Sequence, residues 1–549
     1  MASQKKSLFF LLLGIVLLFT VMNVYFISKV NYVGSGDDAR YATVGRNVLE
    51  GKGFVIDVIN KFFYPYPRNI THPEDVYPPA YPLAVAMLFG LFGETALMAK
   101  LPALIIALLV TPLLTYAIGR RMVSEKAGFV AGLLALLSPV SFAWSGISDS
   151  MFAGFCLAAV CCLVYGFSDK KWWYGVGIFL SLAFLTKPTG LMLTLAVWGA
   201  CVLVCLYTRK WPKKEFVMGF VFGLVLAVPW LVRNQLAYGN PLFSMYSAYV
   251  FMVGFFVQNL SEVTGALYWG TPIDFSWFLA HVGFGELAMK VLRDSLVTLK
   301  VLGPLLLCAV LGSFAVKKKQ MLASIWFFFA VFAGLYTLLY PFSVRYYLPV
   351  LPLLFILAAA WVMNGAFWNR TDVRKKVVTF GVSAFLILLF VFSISRFFVS
   401  YSYLPPGINM DPGYPRSSQG KDIQLRMDTI HWIRENIPQG SSMFVSHRPH
   451  DIAYYDRVKT VAVPFEPLET ILAVGDYYHV QYLVNVKNAQ PKSRQIRALD
   501  GIRENPAFTL LYENDIEEVY WIDWSKITLE KRLMPCGEAS QGPKLPACV

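Results

Sequence analysis

Long apolar segments alternate with short polar segments through the first 396 residues of the chain. A helix needs about 20 mostly apolar residues to cross a hydrocarbon core about 30 Å thick. The pattern therefore predicts a polytopic α-helical membrane protein with about eleven transmembrane helices. The predicted spans lie at roughly 8–29, 95–118, 127–144, 149–167, 172–186, 189–207, 216–232, 297–315, 321–340, 345–363 and 377–396.

The distribution of basic residues predicts the orientation of these spans. The apolar segment 81–92 is too short to cross, and we interpret it as an interfacial helix. With a cytoplasmic N-terminus, every basic cluster between spans then falls on the cytoplasmic side, as the positive-inside rule requires. The clusters are Arg120-Arg121 with Lys126, Lys170-Lys171, Arg209–Lys214, Lys317–Lys319 and Arg370–Lys376.

This topology predicts a multi-pass protein of the plasma or inner membrane with three exoplasmic regions. They are a first loop at 31–93, a second loop at 233–296 and everything from 397 to 549. A cleaved signal peptide is the alternative interpretation of the first apolar segment. Its length, and the absence of a clear small-residue cleavage site, favour a retained span.

The pattern changes after residue 396, where apolar segments become short and alternate with turns. Helical patterns alternate with strand patterns, which predicts a small soluble α/β domain at 397–549 behind a transmembrane domain at 1–396. The helical segments are Ile423–Asn436, Asp451–Tyr455 and Leu468–Val474, and the strand segments are Ser442–Val445, Thr460–Val463 and Gln481–Val486.

Composition agrees with an integral membrane protein. The 549 residues are 56% hydrophobic and only 15% charged, and the mean hydropathy is +0.53. The net charge of +14 does not indicate a nucleic-acid partner, because basic residues concentrate in short clusters between the apolar spans, on the predicted cytoplasmic side. In the predicted exoplasmic tail, Cys536 and Cys548 can form a disulfide or remain free thiols.

The candidate chemistry lies directly after the first span, in Gly36-Asp37-Asp38-Ala39-Arg40-Tyr41. Charged groups at a membrane edge are costly, and they are usually functional. A carboxylate can take a proton from an attacking hydroxyl or amine as a general base. The alternative is structural, because an aspartate before the predicted helix at 42–49 can act as its N-cap.

These six residues resemble the first exoplasmic loop of C-type (GT-C) polyprenyl-phosphate-dependent glycosyltransferases. This superfamily includes protein O-mannosyltransferases and lipid A aminoarabinose transferases. Many relatives carry Asp-Glu where this chain has Asp37-Asp38. Further matching motifs follow in the same order, at Tyr77–Leu83, Leu185–Gly190, Val228–Trp230 with Arg233-Asn234, Gly239–Phe243, Arg345–Pro349 and Trp432–Pro438.

The resemblance implies transfer of a hexose or pentose from a polyprenyl-phosphate donor to an exoplasmic lipid, glycan or protein, with inversion. Asp37 matches the family's catalytic aspartate, and Asp38 would assist it. The transition state is oxocarbenium-like, and the leaving phosphate needs positive charge. The candidates for phosphate binding are Arg40, Arg345, Lys187, Lys61 and Arg233, and those for acceptor or sugar binding are Asp149, Tyr41, His72 and Tyr346.

The sequence indicates no definite cofactor and leaves a divalent metal open, although the acidic and histidine residues show no recognised spacing for one. Two other functions are compatible with a membrane protein of this kind, namely a transporter or flippase of lipid-linked sugars and a catalytically inactive assembly subunit. Charged candidates grouped at one membrane face, with a soluble domain on the same side, favour an enzyme over a transporter. The intact aspartate pair argues against an inactive subunit.

Overall fold

A computed structural model describes most of the chain. The described residues are 2–29, 32–34, 36–60, 62, 69–138, 147–208, 214–245, 283–339, 344–364, 419–464, 466–487 and 499–529, with isolated positions between 377 and 388. The predictions for Lys61, Cys536, Cys548 and most of the span 377–396 lie outside these residues.

Helices form most of the described structure up to residue 364 and alternate with strands after residue 419. The helices are α1 (Ala2–Ser28), α2 (Asp37–Leu49), α3 (Ala80–Phe92), α4 (Ala96–Ile105), α5 (Thr111–Met122), α6 (Glu125–Leu137), α7 (Ser148–Gly166), α8 (Trp172–Phe184), α9 (Thr189–Thr208), α10 (Lys214–Tyr238), α11 (Phe284–Ser313), α12 (Lys319–Leu339), α13 (Leu351–Asn364), α14 (Gln419–Asn436), α15 (Pro449–Asp456) and α16 (Leu468–Tyr477). A five-residue π-helical segment at Ile106–Val110 joins α4 to α5.

Within the described residues, six helical segments are long and apolar enough to cross a membrane. They are Leu8–Tyr25, Ala96–Met122, Ser148–Gly166, Lys214–Tyr238, Phe284–Ser313 and Lys319–Leu338. Large apolar side chains such as Phe10, Leu18 and Val21 are exposed on α1, as expected of a surface that faces lipid. The predicted spans at 172–186, 189–207 and 345–363 correspond to shorter apolar helices.

A six-stranded sheet occupies the C-terminal region. Its order is β2-β5-β4-β6-β8-β7; the first four strands pair in parallel, and β8 pairs antiparallel with both β6 and β7. The strands are β2 (Val58–Ile59), β4 (Ser442–Val445), β5 (Lys459–Ala462), β6 (Tyr482–Val486), β7 (Phe508–Glu513) and β8 (Glu517–Ile522), and β1 (Val55–Ile56) pairs separately with β3 (His72–Pro73). Helices connect the parallel strands, as the predicted α/β pattern requires.

The first loop contributes an edge strand to this sheet. Val58 and Ile59 pair in parallel with Thr460 and Val461, and the Thr460 amide also donates to the Asp57 carbonyl at 3.0 Å. Helix α15 packs against α2, and Arg46 donates to the carbonyls of Ala453 and Tyr454. The loop that carries the aspartate pair is thus part of the same folded unit as the C-terminal sheet.

Close helix packing in the apolar region depends on glycine. A Cβ atom on Gly177 of α8 would lie 2.3 Å from the Gly219 carbonyl oxygen of α10. The same holds from the other helix, because a Cβ atom on Gly223 of α10 would lie 2.5 Å from the Gly177 carbonyl oxygen. Small residues that let two backbones approach this closely are typical of helix contacts within membranes.

We expect Gly177→Val to destabilise the helical region by roughly 1–3 kcal/mol, because the α8 and α10 backbones must separate. Thermal unfolding of the purified protein in detergent measures this loss. Gly199→Val is the matched control, because a Cβ atom there meets open space. Equal unfolding temperatures for the two variants would contradict the role assigned to the α8–α10 contact.

Candidate functional site

The aspartate pair lies in the first turn of α2. The helix begins at Asp37, and its N-cap is Gly36, at φ 60° with no side-chain cap. The N-cap interpretation of the aspartates is therefore wrong, because the helix starts five residues before the predicted Ala42. Negative charge in a first turn is favourable, since it lies at the positive end of the helix dipole. Asp37 is half-buried, whereas Asp38 is buried.

Asp38 is enclosed beside a lysine from a candidate membrane span. Lys100 of α4, 1% exposed, places its Nζ 3.5 Å from Asp38 Oδ2. Gly34 packs against the same carboxyl, because a Cβ atom there would lie 2.3 Å from Oδ2. Burial raises the pKa of Asp38 to about 7; the charges of Asp37 and Asp149 act in the same direction, and Lys100 opposes them.

The partner of Asp37 is a tyrosine. Burial raises the pKa of the Tyr77 phenol far above its ordinary value, and the adjacent Asp37 carboxylate raises it further. The phenol therefore stays protonated and donates a hydrogen bond to Asp37. The Arg345 guanidinium is close enough to oppose this rise in the pKa of Tyr77. Asp37, Tyr77 and Arg345 thus form one cluster from three separate parts of the chain.

Tyr41 is a buried neighbour of this cluster. Its ring lies 4.7 Å from the Tyr77 ring and 4.8 Å from the Tyr81 ring, measured between centroids. Its hydroxyl is 2.6 Å from Ser148 Oγ. Because Tyr41 is only 1% exposed, it links α2 to α7 and the 77–81 segment.

A second ion pair joins α7 to the turn before α9. Asp149 Oδ1 is 2.7 Å from Lys187 Nζ, and both residues are buried. The Asp149 charge also acts on Asp38, so this pair belongs to the same electrostatic site. The structure therefore brings the predicted residues Asp149 and Lys187 together beside the aspartate pair.

Arg345 and Tyr346 lie on a 3₁₀ turn at Val344–Tyr347. The half-buried guanidinium of Arg345 donates through Nη2 to the Tyr346 hydroxyl at 3.3 Å. The Tyr346 ring stacks on Tyr336 of α12 at 4.7 Å with an interplanar angle of 2°. Tyr347 is tied to α11, with its hydroxyl 2.9 Å from Thr298 Oγ1. The two residues that follow the arginine therefore anchor the turn to α12 and to α11.

Arg40 is held by two carboxylates. Its Nε donates to Glu74 at 2.9 Å, and its Nη2 pairs with both Glu74 and Asp75. The Glu74 carboxylate in turn accepts hydrogen bonds from the backbone amides of Val76 and Tyr77, each at 3.0 Å. Arg40 thus positions the segment that carries Tyr77. His72 joins this group, with Nε2 at 3.6 Å from Asp75 Oδ2.

Arg233 fastens the same segment from α10. Its guanidinium donates to the carbonyls of Glu74 at 2.7 Å and Phe54 at 3.1 Å, and it lies over the Trp230 ring at 4.8 Å. Arg40 and Arg233 therefore contact protein groups in this structure. Their predicted contact with a phosphate stays a prediction.

Sequence reasoning missed Lys100, Glu74 and Tyr77 as members of the site. A single lysine inside the predicted span 95–118 is a signal that could have identified Lys100, because an isolated charge in such a segment needs a partner. Tyr77 begins the motif Tyr77–Leu83, which could have identified it, whereas Glu74 carries no comparable signal. Across the part of the chain that the structure describes, no group of three or more His, Cys, Asp and Glu side chains is arranged to hold a metal ion.

Comparison with known proteins confirms the resemblance to polyprenyl-phosphate glycosyltransferases. Residues 76–232 match the family described as dolichyl-phosphate-mannose-protein mannosyltransferase. The fold is similar to that of ArnT from Cupriavidus metallidurans bound to undecaprenyl phosphate, with a TM-score of 0.56 and 15% identity over 92% of this chain and 98% of that one. No curated protein matches the sequence.

The fold also resembles the oligosaccharyltransferase of Archaeoglobus fulgidus. The complex with Zn and sulfate has a TM-score of 0.56 and 13% identity over 94% of this chain and 74% of that chain. The archaeal AglB in complex with an inhibitory peptide and a dolichol-phosphate has a TM-score of 0.55 and 12% identity over 88% and 70% of the two chains. The chain therefore has the mostly helical fold of C-type glycosyltransferases.

We expect Lys100→Met to destabilise the protein by about 3–5 kcal/mol, because it leaves the Asp38 carboxyl buried without its cation. Asp38→Asn in the same chain should restore part of the loss, since the uncompensated charge is removed. Thermal unfolding of the single and double variants measures the coupling. Lys300→Met, on an exposed face of α11, is the matched control. Strictly additive effects would refute the pairing.

Proposed function

We propose that this protein is an integral membrane glycosyltransferase that moves a sugar from a polyprenyl-phosphate donor to an acceptor outside the cytoplasm. The observation that carries the proposal is the half-buried Asp37 carboxylate, which accepts a hydrogen bond from Tyr77 and has Arg345 nearby. The complexes of ArnT with undecaprenyl phosphate and of AglB with dolichol-phosphate support the class of donor.

In the proposed reaction, an acceptor oxygen or nitrogen attacks the anomeric carbon from the face opposite the phosphate. The new glycosidic bond forms as the anomeric C–O bond to the phosphate breaks, which inverts the configuration. The acceptor's proton passes to Asp37, and polyprenyl phosphate leaves with the bonding electron pair. Asp37 suits this role better than Asp38, because Asp38 is enclosed against Lys100.

Positive charge for the departing phosphate would come from Arg345 and Lys187. Both belong to the electrostatic site around Asp37, and a guanidinium can bind phosphate oxygens in a bidentate manner. Lys61 remains a further candidate outside the described residues. For Arg40 and Arg233 we favour a positioning role, because their contacts are with Glu74, Asp75 and backbone carbonyls.

The acceptor or sugar hydroxyls would meet Asp149 and Tyr346, with Tyr41 and His72 supporting them from buried positions. Asp149 has one carboxylate oxygen at 2.7 Å from Lys187, and a carboxylate accepts more than one hydrogen bond. The transferred sugar in this proposal is a hexose or a pentose.

The proposed topology keeps about eleven crossings and an exoplasmic site. A transmembrane domain at 1–396 and an exoplasmic domain at 397–549 are the proposed divisions, with the first loop contributing β2 to the second domain. An outward site has no access to cytoplasmic nucleotide sugars, which accords with a lipid-linked donor.

We expect Asp37→Asn to reduce sugar transfer by about 10²–10⁴-fold, because the attacking group loses its general base. The assay uses purified protein in nanodiscs, a panel of radiolabelled polyprenyl-phosphate sugars and crude membrane acceptors. Asp428→Asn, on an exposed face of α14, is the matched control. Binding of polyprenyl phosphate should persist in both variants. If the Asp37→Asn variant transfers sugar at the wild-type rate, Asp37 is not the general base.

We expect the rate of transfer to rise with pH through about 7, the value to which burial raises the pKa of Asp38. Below that pH Asp38 is protonated, and ionisation above it adds a negative charge beside the site, which favours the positively charged, oxocarbenium-like transition state. Initial rates between pH 5.5 and 8.5 measure the effect. The rise should be absent in Asp38→Asn, and an unchanged midpoint in that variant would contradict the assignment.

A further inference from the structure

A cavity of about 410 Å³ lies between the first loop, the start of α4 and the C-terminal region. It is separate from the Asp37 cluster, and its size falls in the range of small-ligand sites. Its lining comes from segments far apart in the sequence, namely Val33, Arg46, Glu94, Thr95, Ala96, Met427, Arg434, Gln439, Tyr454, Tyr455, Asp456 and Arg457.

The lining has an excess of positive charge. It contains the three guanidinium groups of Arg46, Arg434 and Arg457 and the two carboxyl groups of Glu94 and Asp456. The side chain of Asp456 is fully enclosed, and burial raises its pKa to about 8 in spite of Arg434. The lining thus holds three guanidinium groups against two carboxyl groups, and the raised pKa of Asp456 weakens the negative charge of one of them.

Two of the three guanidinium groups remain accessible. The side chains of Arg434 and Arg457 are 48% and 45% exposed. Arg434 donates to the Tyr455 carbonyl at 2.9 Å, and Arg457 pairs with Glu50 at 2.6 Å and with Glu94 at 3.4 Å. A guanidinium has five N–H donors, so these contacts leave N–H donors on both groups for an anion.

The position of the cavity relates it to the membrane surface. Thr95 is the N-cap of α4, and Ala96 is the first residue of a candidate membrane span. Both residues line the cavity. The cavity therefore lies at the depth where α4 would enter the lipid, which is the depth of headgroup phosphates.

We propose that this cavity binds the phosphate of a small polar headgroup, with a membrane lipid as its source. The phosphate contacts Arg434 and Arg457, and the Tyr454 and Tyr455 rings form the wall beside the headgroup. The Tyr455 hydroxyl also accepts a hydrogen bond from the Val33 amide at 2.6 Å. Val33 directly precedes Gly34, which packs against the Asp38 carboxyl. An occupied cavity therefore holds α15 against the loop that carries the aspartate pair.

Native mass spectrometry of the full-length protein, with short-chain phosphatidylglycerol as the probe, tests the proposal. The variants are Arg434→Gln, which removes a cation, and Gln439→Trp, which fills the cavity from its exposed rim and leaves the ion pairs intact. Arg503→Gln is the matched control, because Arg503 is 53% exposed and pairs with Glu513 and Glu518 away from the cavity. Circular dichroism confirms that each variant is folded.

We expect wild type and Arg503→Gln to retain one tightly bound phosphatidylglycerol, and both cavity variants to bind it at least about fivefold more weakly. Glycerol 3-phosphate provides the second arm. If it binds as tightly as the lipid and with the same dependence on Arg434, the phosphate site stands but its source is soluble. Binding in the cavity variants equal to wild type, or no binding of either probe, would overturn the proposal. None of these readouts depends on sugar transfer.

Discussion

The buried contact between Asp38 and Lys100 is the interaction on which the rest of the site depends. A lysine enclosed in an apolar helix requires a charge partner, and a carboxyl with no solvent access requires a cation. The contact therefore fixes the start of α2 against α4. Successive residues on a helix point about 100° apart. Holding Asp38 inward consequently turns Asp37 toward the cluster that contains Tyr77 and Arg345.

The segment that carries Tyr77 is fixed by a second set of charges. Arg40 reaches it from α2 through Glu74 and Asp75, and Arg233 reaches it from α10 through backbone carbonyls. Glu74 accepts two amides of the same segment, so a single carboxylate joins a helix to a turn. Guanidinium groups suit this task because their donors are arranged in a rigid fork. The site is thus assembled by buried polar contacts in a molecule otherwise dominated by apolar packing.

Sequence periodicity predicted the local elements well. Ser442–Val445 has the predicted bounds, and the helices at α14, α15 and α16 differ from the predictions by a few residues at their ends. The strands β7 and β8 were not predicted. Nor were the two-residue strands of the first loop, because such short pairings depend on a partner distant in the chain. The resemblance predicted that Asp37, Asp149, Lys187 and Arg345 share one site, whereas the identity of each ion-pair partner required the packed structure.

The edge strand β2 has a consequence for how the protein is made. Contacts such as that between Arg46 and Tyr454 span 408 residues of sequence. At roughly 5–20 residues per second, the ribosome takes roughly 20–80 seconds to synthesise that interval. Throughout this time the segment around Asp37 lacks the neighbouring strand and helix that will anchor it. Anchoring of the first loop is therefore a late event in biosynthesis, because its partners in α15 and β5 are synthesised long after it.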